Sequence, residues 1–271
     1  MANPLFSSSF SNIDAAANPT QFVDFMDDAN AMEFFQAAKQ RSYALMALQL
    51  GHHVLDVGCG TGDDVRAMAQ LVGPTGHCVG VDSSTTMIEA ARQRTRPDEP
   101  VEFLVGDAER LDLPDDAFDA CRADRVLQHL SDPPRALLNM VRVLRPGGRV
   151  VVFEPDTGAL LIDADPRDVT RKIINFRGDA VRSGWIGRQL PRLFKEIGLV
   201  GVDVAVMPSP RTDYAHTNSS LRLDYYAQRA VEAGVISAAE AEHWSASLAE
   251  RAAAGTFFCL VTMFMVSGRK P

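Results

Sequence analysis

Val54-Leu55-Asp56-Val57-Gly58-Cys59-Gly60-Thr61-Gly62 is a β-branched run that ends in closely spaced glycines. Asp63 to Leu71 then reads as a helix, with Gly73-Pro74 as its stop. Glycines at the carboxyl end of a parallel strand permit a tight turn and let a ligand approach the backbone. The crevice above such a strand is where a doubly wound sheet binds its ligand. The spacing narrows the choice of ligand. A dinucleotide fingerprint, G-x-G-x-x-G, would place its third glycine at position 63, where Asp63 stands beside Asp64. A pyrophosphate at that helix start would face two carboxylates. No Gly-Lys-Ser/Thr follows, which excludes a Walker loop. The turn favours a ligand without phosphates.

The same rhythm continues outward. Cys78 to Asp82 is a second strand, and Ser84 to Arg94 a helix with Ser83 or Ser84 as its N-cap. Val101 to Val105 and Ala117 to Ala123 are further strands. Pro134 to Leu144 is a helix opened by proline, and Gly148 to Phe153 a fifth strand. Strands alternating with helices predict stacked βαβ units, hence a mostly parallel sheet covered on both faces. Upstream, Ala31 to Leu50 reads as a helix closed by Gly51, and the first thirty residues as loose chain or a short cap. Downstream, Arg167 to Asn175 and Gln189 to Ile197 are helical and Val200 to Met207 is a strand. Leu221 to Ala254 forms two helices broken around Gly234, and Thr256 to Ser267 is a last strand. A helical insertion between two strands that should pair is a lid, an oligomer contact or a decorative hairpin.

Composition bounds the function. The 271 residues fit one large domain, with 46% apolar and 23% charged residues, which excludes wholesale disorder. A net charge of −8 argues against a nucleic-acid partner. No basic residue precedes Lys39, so a secretory signal is not expected. The longest apolar stretch, Thr256 to Val266, is about half the ~20 residues of a membrane helix. Cys59, Cys78, Cys121 and Cys259 stand far apart, which points to a reducing, cytoplasmic setting without disulfides.

Asp82 ends the second strand, where a carboxylate can accept from both hydroxyls of a ribose or cap the next helix. Gly106-Asp107-Ala108 follows the third strand, where Asp107 can accept from an exocyclic amine or serve a plain turn. With these landmarks the core resembles the class I S-adenosylmethionine-dependent methyltransferases. Val54 to Gly62 resembles their motif I, and Val79-Gly80-Val81-Asp82 their acidic post-I motif. Gly106-Asp107-Ala108-Glu109 through Leu113-Pro114 and Phe118-Asp119 resembles their adenine loop and fourth strand. Leu144-Arg145-Pro146-Gly147-Gly148 resembles the turn before their fifth strand. These motifs span roughly residues 53 to 153, and the subgroup most similar serves quinone biosynthesis and small-molecule secondary metabolism.

The resemblance implies an α/β fold with a seven-stranded, mostly parallel, doubly wound sheet and a reversed last strand. Residues 1–50 would form an N-terminal helical cap. Residues 51–271 would form the cofactor-binding domain, with 212–255 as a lid or a homodimer contact. It also implies a pose for S-adenosylmethionine. Gly58, Cys59 and Gly60 would pass beneath the methionine moiety, with Asp56 near its amino group. Asp82 would hold the ribose, Ser83 and Met87 would flank the adenine, and Gly106, Asp107 and Ala108 would reach its edge. Arg125 would line the outer side. Arg41 would pair with the methionine carboxylate, or Tyr43 would contact it; the alternative is an exposed arginine and a core tyrosine. At least one of Asp63 and Asp64 should be solvent-exposed at its helix start.

Methyl transfer is an in-line displacement in which positioning contributes roughly 7–11 kcal/mol. A general base adds only ~10²–10⁴-fold. The candidate base is His129, just past the fourth strand; its alternative is a structural histidine tied to Asp132. Glu154, at the end of the fifth strand, would orient His129 or bind the substrate, or else serve packing. No histidine pair has metal-ligand spacing, so no metal is expected. The aromatic residues Phe22, Phe25, Phe34 and Phe35, with Met26, would wall one side of a pocket for a planar or lipophilic small-molecule acceptor. Tyr214, Tyr225, Tyr226, Trp185 and Trp244 would wall the other, unless these side chains are plain core. Oxygen is the favoured acceptor atom. Nitrogen or carbon methylation, use of the bound sulfonium without transfer, and a nicotinamide oxidoreductase are the competing classes.

Overall fold

The computed structural model describes residues 10–271, so the first nine residues of the expected 1–50 cap lie outside the described residues. A 3-10 segment (Phe10–Ala15) and two α-helices, α1 (Thr20–Ala31) and α2 (Glu33–Met46), occupy the rest of that segment. Sequence periodicity predicts only α2. In α1 just Phe22 and Ala29 are buried, two turns apart, and the half-buried Val23, Phe25 and Met26 are interleaved with Asp24, Asp27 and Asp28, so no clean apolar stripe can be read.

The βαβ rhythm is present in full. It runs β1 (His53–Val57), α3 (Asp63–Val72), β2 (His77–Asp82), α4 (Thr85–Gln93), β3 (Val101–Val105), β4 (Phe118–Asp124), α5 (Pro133–Val143) and β5 (Leu144–Pro155). Local chemistry sets the helix starts. The Ser84 hydroxyl accepts from the Met87 N–H at the head of α4. Asp132 accepts from the Arg135 N–H at the head of α5, with Pro133 and Pro134 in its first turn.

After a two-residue strand β6 (Leu161–Ile162) come α6 (Arg167–Ala180), α7 (Ile186–Glu196) and β7 (Val200–Arg211). α8 (Tyr214–Leu221) opens the insertion, and the two helices expected over residues 221–254 follow as α9 (Leu223–Glu232) and α10 (Ala238–Ala253). Gly234, at φ +70°, ends α9 as expected. β8 (Cys259–Arg269) closes the sheet.

The strand order is β3-β2-β1-β4-β5-β8-β6, with β7 also paired to β8. β1 to β5 are parallel, and β8 runs antiparallel to β5 and to β7. This is the expected mostly parallel sheet with a reversed last strand; the eighth member is the short β6. One apolar layer packs α5 and α7 on the sheet through Leu137, Met140, Leu190 and Phe194. The other packs α2, α3 and α4 through Met46, Met68 and Ile88. Burying each such side chain contributes about 1.5–3 kcal/mol. A third cluster joins Trp244 and Leu248 to Val169 and Ile173 of α6 and to Cys259 of β8, so the insertion packs on α6 and on the end of the sheet. Among the described residues no helix is long and apolar enough to cross a membrane.

Candidate active site

The carboxyl ends of the parallel strands open into a cavity of about 1000 Å³. Its floor is the turn after β1. Gly58 sits at φ +72°, and an added Cβ would lie 2.3 Å from a Val126 methyl, so only glycine fits between the two loops. The Gly58 and Cys59 N–H groups donate to the Val81 carbonyl at 2.7 and 3.0 Å, tying the turn to the end of β2. Asp82 braces the same place: its carboxylate accepts from the Gly60 N–H and from the Ser84 N–H, both at 2.9 Å. Burial raises the Asp82 carboxyl above its ordinary range, against the pull of those two N–H donors.

Gly58, Gly60, Asp82, Ser83, Met87, Gly106, Asp107, Ala108, Arg125 and His129 all line this cavity. Cys59 does not; it is buried behind the turn, where desolvation keeps its thiol protonated. The acceptor set suits a nucleoside: a carboxylate at the end of β2, a second one after β3 and a side-chain-free turn between them. From above, α1 adds Phe25 and Met26 and α2 adds Phe35, over whose ring the Arg125 guanidinium stands at 4.2 Å.

The N-terminal segment is fastened to this floor. Asp14 accepts from the Ser84 hydroxyl at 2.7 Å, the Thr85 N–H at 2.7 Å and the Thr86 N–H at 3.2 Å. Its slight burial works the other way, yet these donors hold Asp14 below the ordinary carboxylate range, as befits an anion at a helix N-terminus. Asp27 of α1 takes both arms of Arg94 at 2.7 and 2.9 Å.

His129 ends a short 3-10 turn (Leu127–His129) and stacks on Phe10 with centroids 5.6 Å apart. Asp132 is occupied as the α5 N-cap. Glu154 departs from the expectation. It is fully buried, does not line the cavity, and its Oε1 accepts from the Val126 and Leu127 N–H groups at 2.7 and 2.6 Å. It therefore holds the backbone of the turn that carries His129, rather than the imidazole or a substrate. Burial pushes its carboxyl up to about 8 from 4.5, although the two N–H donors oppose this. A group raised on folding contributes stability below its unfolded value that is lost as pH rises to its folded value. Wild-type protein should lose stability between about pH 5 and 8, by up to about 1.4 kcal/mol per pH unit from this group. Glu154→Gln should flatten that slope; equal urea midpoint changes in both proteins would remove the assignment.

Three more expectations are corrected. Arg41 lies on the exposed outer face of α2 and does not line the cavity. Tyr43 is buried beneath the turn and donates its hydroxyl to Asp64. Asp56, also buried, faces Arg122 at 3.7 Å instead of the cavity. All three follow from one network that the sequence does not announce. Arg122, in the centre of β4 and 1% exposed, pairs with Asp64 at 2.9 Å and Asp124 at 2.8 Å. Lys39 pairs with Asp64 at 3.0 Å. With Arg125, which pairs with Asp124 at 2.8 Å, three carboxylates meet three cations. Burial raises Asp56, the most distant of the three, to about 7, with Arg122 opposing and Asp64 adding to the rise. Asp64 is also desolvated, but Arg122 and Lys39 hold it below its ordinary value. Neither acid at the α3 start stands alone in solvent: Asp63 pairs with Arg66 at 2.5 Å and accepts from Asn30 at 2.9 Å. The legible clue was an arginine inside Ala120-Cys121-Arg122-Ala123, a run otherwise apolar.

The aromatic walls are half as expected. Phe25 and Phe35, with Met26, line the cavity, and Phe22 and Phe34 pack behind. Tyr214, Tyr225, Tyr226, Trp185 and Trp244 do not line it. Trp244 is wholly buried and donates to Thr170 at 2.9 Å, as a core residue of the insertion. In their place the insertion presents His216, Ser219, Ser220 and Leu221, and its flanks present Arg177 and Arg211. Among the described residues no group of three His, Cys, Asp or Glu is placed to hold a metal.

Comparison with known proteins places this geometry in context. Residues 55–152 match a family described as a methyltransferase domain. A 37.1 kDa protein of transposon Tn4556 from Streptomyces fradiae is 38% identical over 245 residues, covering 90% of this chain and 70% of the relative. Demethylmenaquinone methyltransferase of Staphylococcus aureus is 30% identical over 202 residues, covering 69% and 84%. The structure of phosphoethanolamine N-methyltransferase 2 of Haemonchus contortus, solved with S-adenosyl-L-methionine, shares the fold. Its TM-score is 0.57 at 18% identity, over 87% of this chain and 52% of that one.

Proposed function

Because this chain belongs to the class I S-adenosylmethionine-dependent methyltransferases, we propose that it methylates an oxygen of a small, largely apolar acceptor, with His129 receiving the proton. The supporting observation is a single cavity lined both by the carboxylate acceptors and glycine turn that follow β1 to β3 and by His129. When bound, the cofactor supplies a sulfonium methyl; transfer leaves the carbon–sulfur electron pair on sulfur and gives S-adenosylhomocysteine.

The residues divide the work. Asp82 accepts from the ribose hydroxyls, and Asp107 from the adenine amine. Gly58 and Gly60 let the aminoacyl tail lie against the backbone. Residues 1–50 act as the cap: Asp14 and Asp27 anchor it, and Phe25, Met26 and Phe35 keep water from the acceptor. Residues 212–255 act as the lid over the far wall. An acceptor hydroxyl donates to the neutral imidazole of His129 as its oxygen attacks, and the proton then passes to solvent. Glu154 maintains the turn that aims the ring.

Incubation with phenols and hydroquinones, read by mass spectrometry, should give a product heavier by one methyl. His129→Ala should lower kcat about 10²-fold while the dissociation constant of S-adenosylhomocysteine stays the same. An unchanged kcat would remove the base assignment, and transfer to amines or carbon alone would remove the oxygen acceptor.

A further inference from the structure

Charged side chains withdrawn from water are normally paired, because an uncompensated buried charge is costly. The described residues follow that rule closely. Arg122 has its three carboxylates, Arg125 has Asp124 at 2.8 Å, and Arg188 has the buried Asp156 at 2.5 Å. Two arginines of the cavity wall break it. Arg177 of α6 donates to the Leu221 carbonyl at 3.2 Å and stands 5.4 Å from the Tyr226 ring, both neutral partners. Arg211, the last residue of β7, reaches only the Met32 sulfur at 3.9 Å, and its Nε is buried without a hydrogen-bond partner. Neither forms an ion pair with any described residue. The exposed acids of the same cavity, Asp24 and Asp28 on α1 and Asp107 after β3, are not within ion-pair distance of either.

The fold brings the two together. Arg211 pairs in register with Cys259 of β8. Both guanidiniums act on the Cys259 thiol, pulling it down against the burial that leaves it at about 11. Desolvation depresses Arg177 and Arg211 alike, and the charge of Arg125 depresses Arg211 further. The donors therefore crowd at the β8 end of the cavity, with the polar side chains of Ser219 and Ser220 also in its wall. The glycine turn of β1 lies three strands away in the sheet order.

We propose that Arg177 and Arg211 form the specificity site for an oxyanion carried by the methyl acceptor, a carboxylate or a phosphate ester. Guanidinium forks match either group through paired N–H···O bonds. The acceptor is then amphipathic. Its apolar body lies along Phe25, Met26 and Phe35, its acid group reaches Arg177 and Arg211, and its nucleophile sits by His129. This deepens the oxygen-methylation reading and rests on it for the word acceptor, but the anion site itself does not.

The test uses benzoate, phenyl phosphate and neutral benzamide as probes. Each is titrated into full-length protein saturated with S-adenosylhomocysteine, at constant ionic strength, and thermal unfolding is followed. Benzoate or phenyl phosphate at about a hundredfold excess over its dissociation constant should raise Tm by several degrees, about 5 °C or more. Benzamide should not. The larger response names the carboxylate or the phosphate ester. Arg177→Met and Arg211→Met should each abolish the response, keep the affinity for S-adenosylhomocysteine, and unfold no lower than wild type without a probe. An equal response to benzamide, or a response that survives both substitutions, overturns the proposal. So does a fall in Tm of several degrees in both probe-free variants, which would make the arginines supports of the fold. A loss of S-adenosylhomocysteine affinity in both overturns it too, by placing them on the cofactor's carboxylate. An arginine-dependent anion response in a protein that methylates no hydroxyl compound leaves this site standing and removes the oxygen-methylation reading instead.

Discussion

Arg122→Met is expected to destabilise the protein by about 4 kcal/mol or more, a large part of the ~5–15 kcal/mol that holds a domain together. The guanidinium is 1% exposed in the middle of β4 and is the shared partner of Asp56, Asp64 and Asp124. Methionine fills much of the volume but leaves Asp64 with Lys39 and the Tyr43 hydroxyl, and Asp124 with Arg125. Removing one member of a buried ionic set is worse than never having had the set, because the remaining charges stay desolvated. The damage should also reach the site. Asp124 precedes Arg125, which sits at φ +58° and begins the turn to His129, and Asp64 lies in the first turn of α3 below the glycines. Urea unfolding at pH 7 measures the effect, and a loss under about 1 kcal/mol would show that the network is dispensable. Arg122→Met combined with Asp56→Asn should recover part of the loss, since a neutral amide costs less to bury than an orphaned carboxylate, while Asp64 keeps its pair with Lys39.

Asp82→Ala is expected to weaken binding of S-adenosylmethionine by roughly a thousandfold. Two hydrogen bonds from ribose hydroxyls to an ionised, desolvated carboxylate contribute about 1.5–3 kcal/mol each. The same substitution frees the Gly60 and Ser84 N–H groups that the carboxylate now holds at 2.9 Å, so the turn and the head of α4 lose their common brace. Asp82→Asn separates the two contributions. Its amide oxygen can still accept, but the charge is gone, and an intermediate affinity is expected. Titration calorimetry with S-adenosylhomocysteine gives the constants directly. An Asp82→Ala protein that binds within tenfold of wild type would place the ribose elsewhere in the cavity.

Much of this was legible from residues 53 to 153 because local signals there agree with the global fold. β-branched runs, the Ser84 cap, the prolines that open α5 and the glycine turn each specify their own short element. The resemblance then ordered them. Gly58, Gly60, Asp82, Asp107 and His129 meet in one cavity because residues at the carboxyl ends of parallel strands converge whatever loops join them. The mostly parallel sheet followed from the same alternation, and its reversed last strand from the resemblance.

The tertiary structure alone decided which polar side chains face the cavity and which face one another. Asp56 belongs to the motif, yet its position on β1 turns it toward Arg122, and Tyr43 and Asp64 are drawn to the same buried cation. Glu154 ends a strand that points at the site, yet its oxygen takes two backbone N–H groups before reaching it. Arg41 and Lys39 stand two residues apart on one helix, and the 100° turn per residue sends one outward and the other into an ion pair. Arg177 and Arg211 lie thirty-four positions apart with no motif around either, and only the pairing of β7 with β8 and the packing of α6 bring them to one wall. Local sequence determines elements and their ends because backbone hydrogen bonds and caps are short-range. The direction of a charged side chain is set by which distant charge shares its burial, and that is a property of the assembled fold.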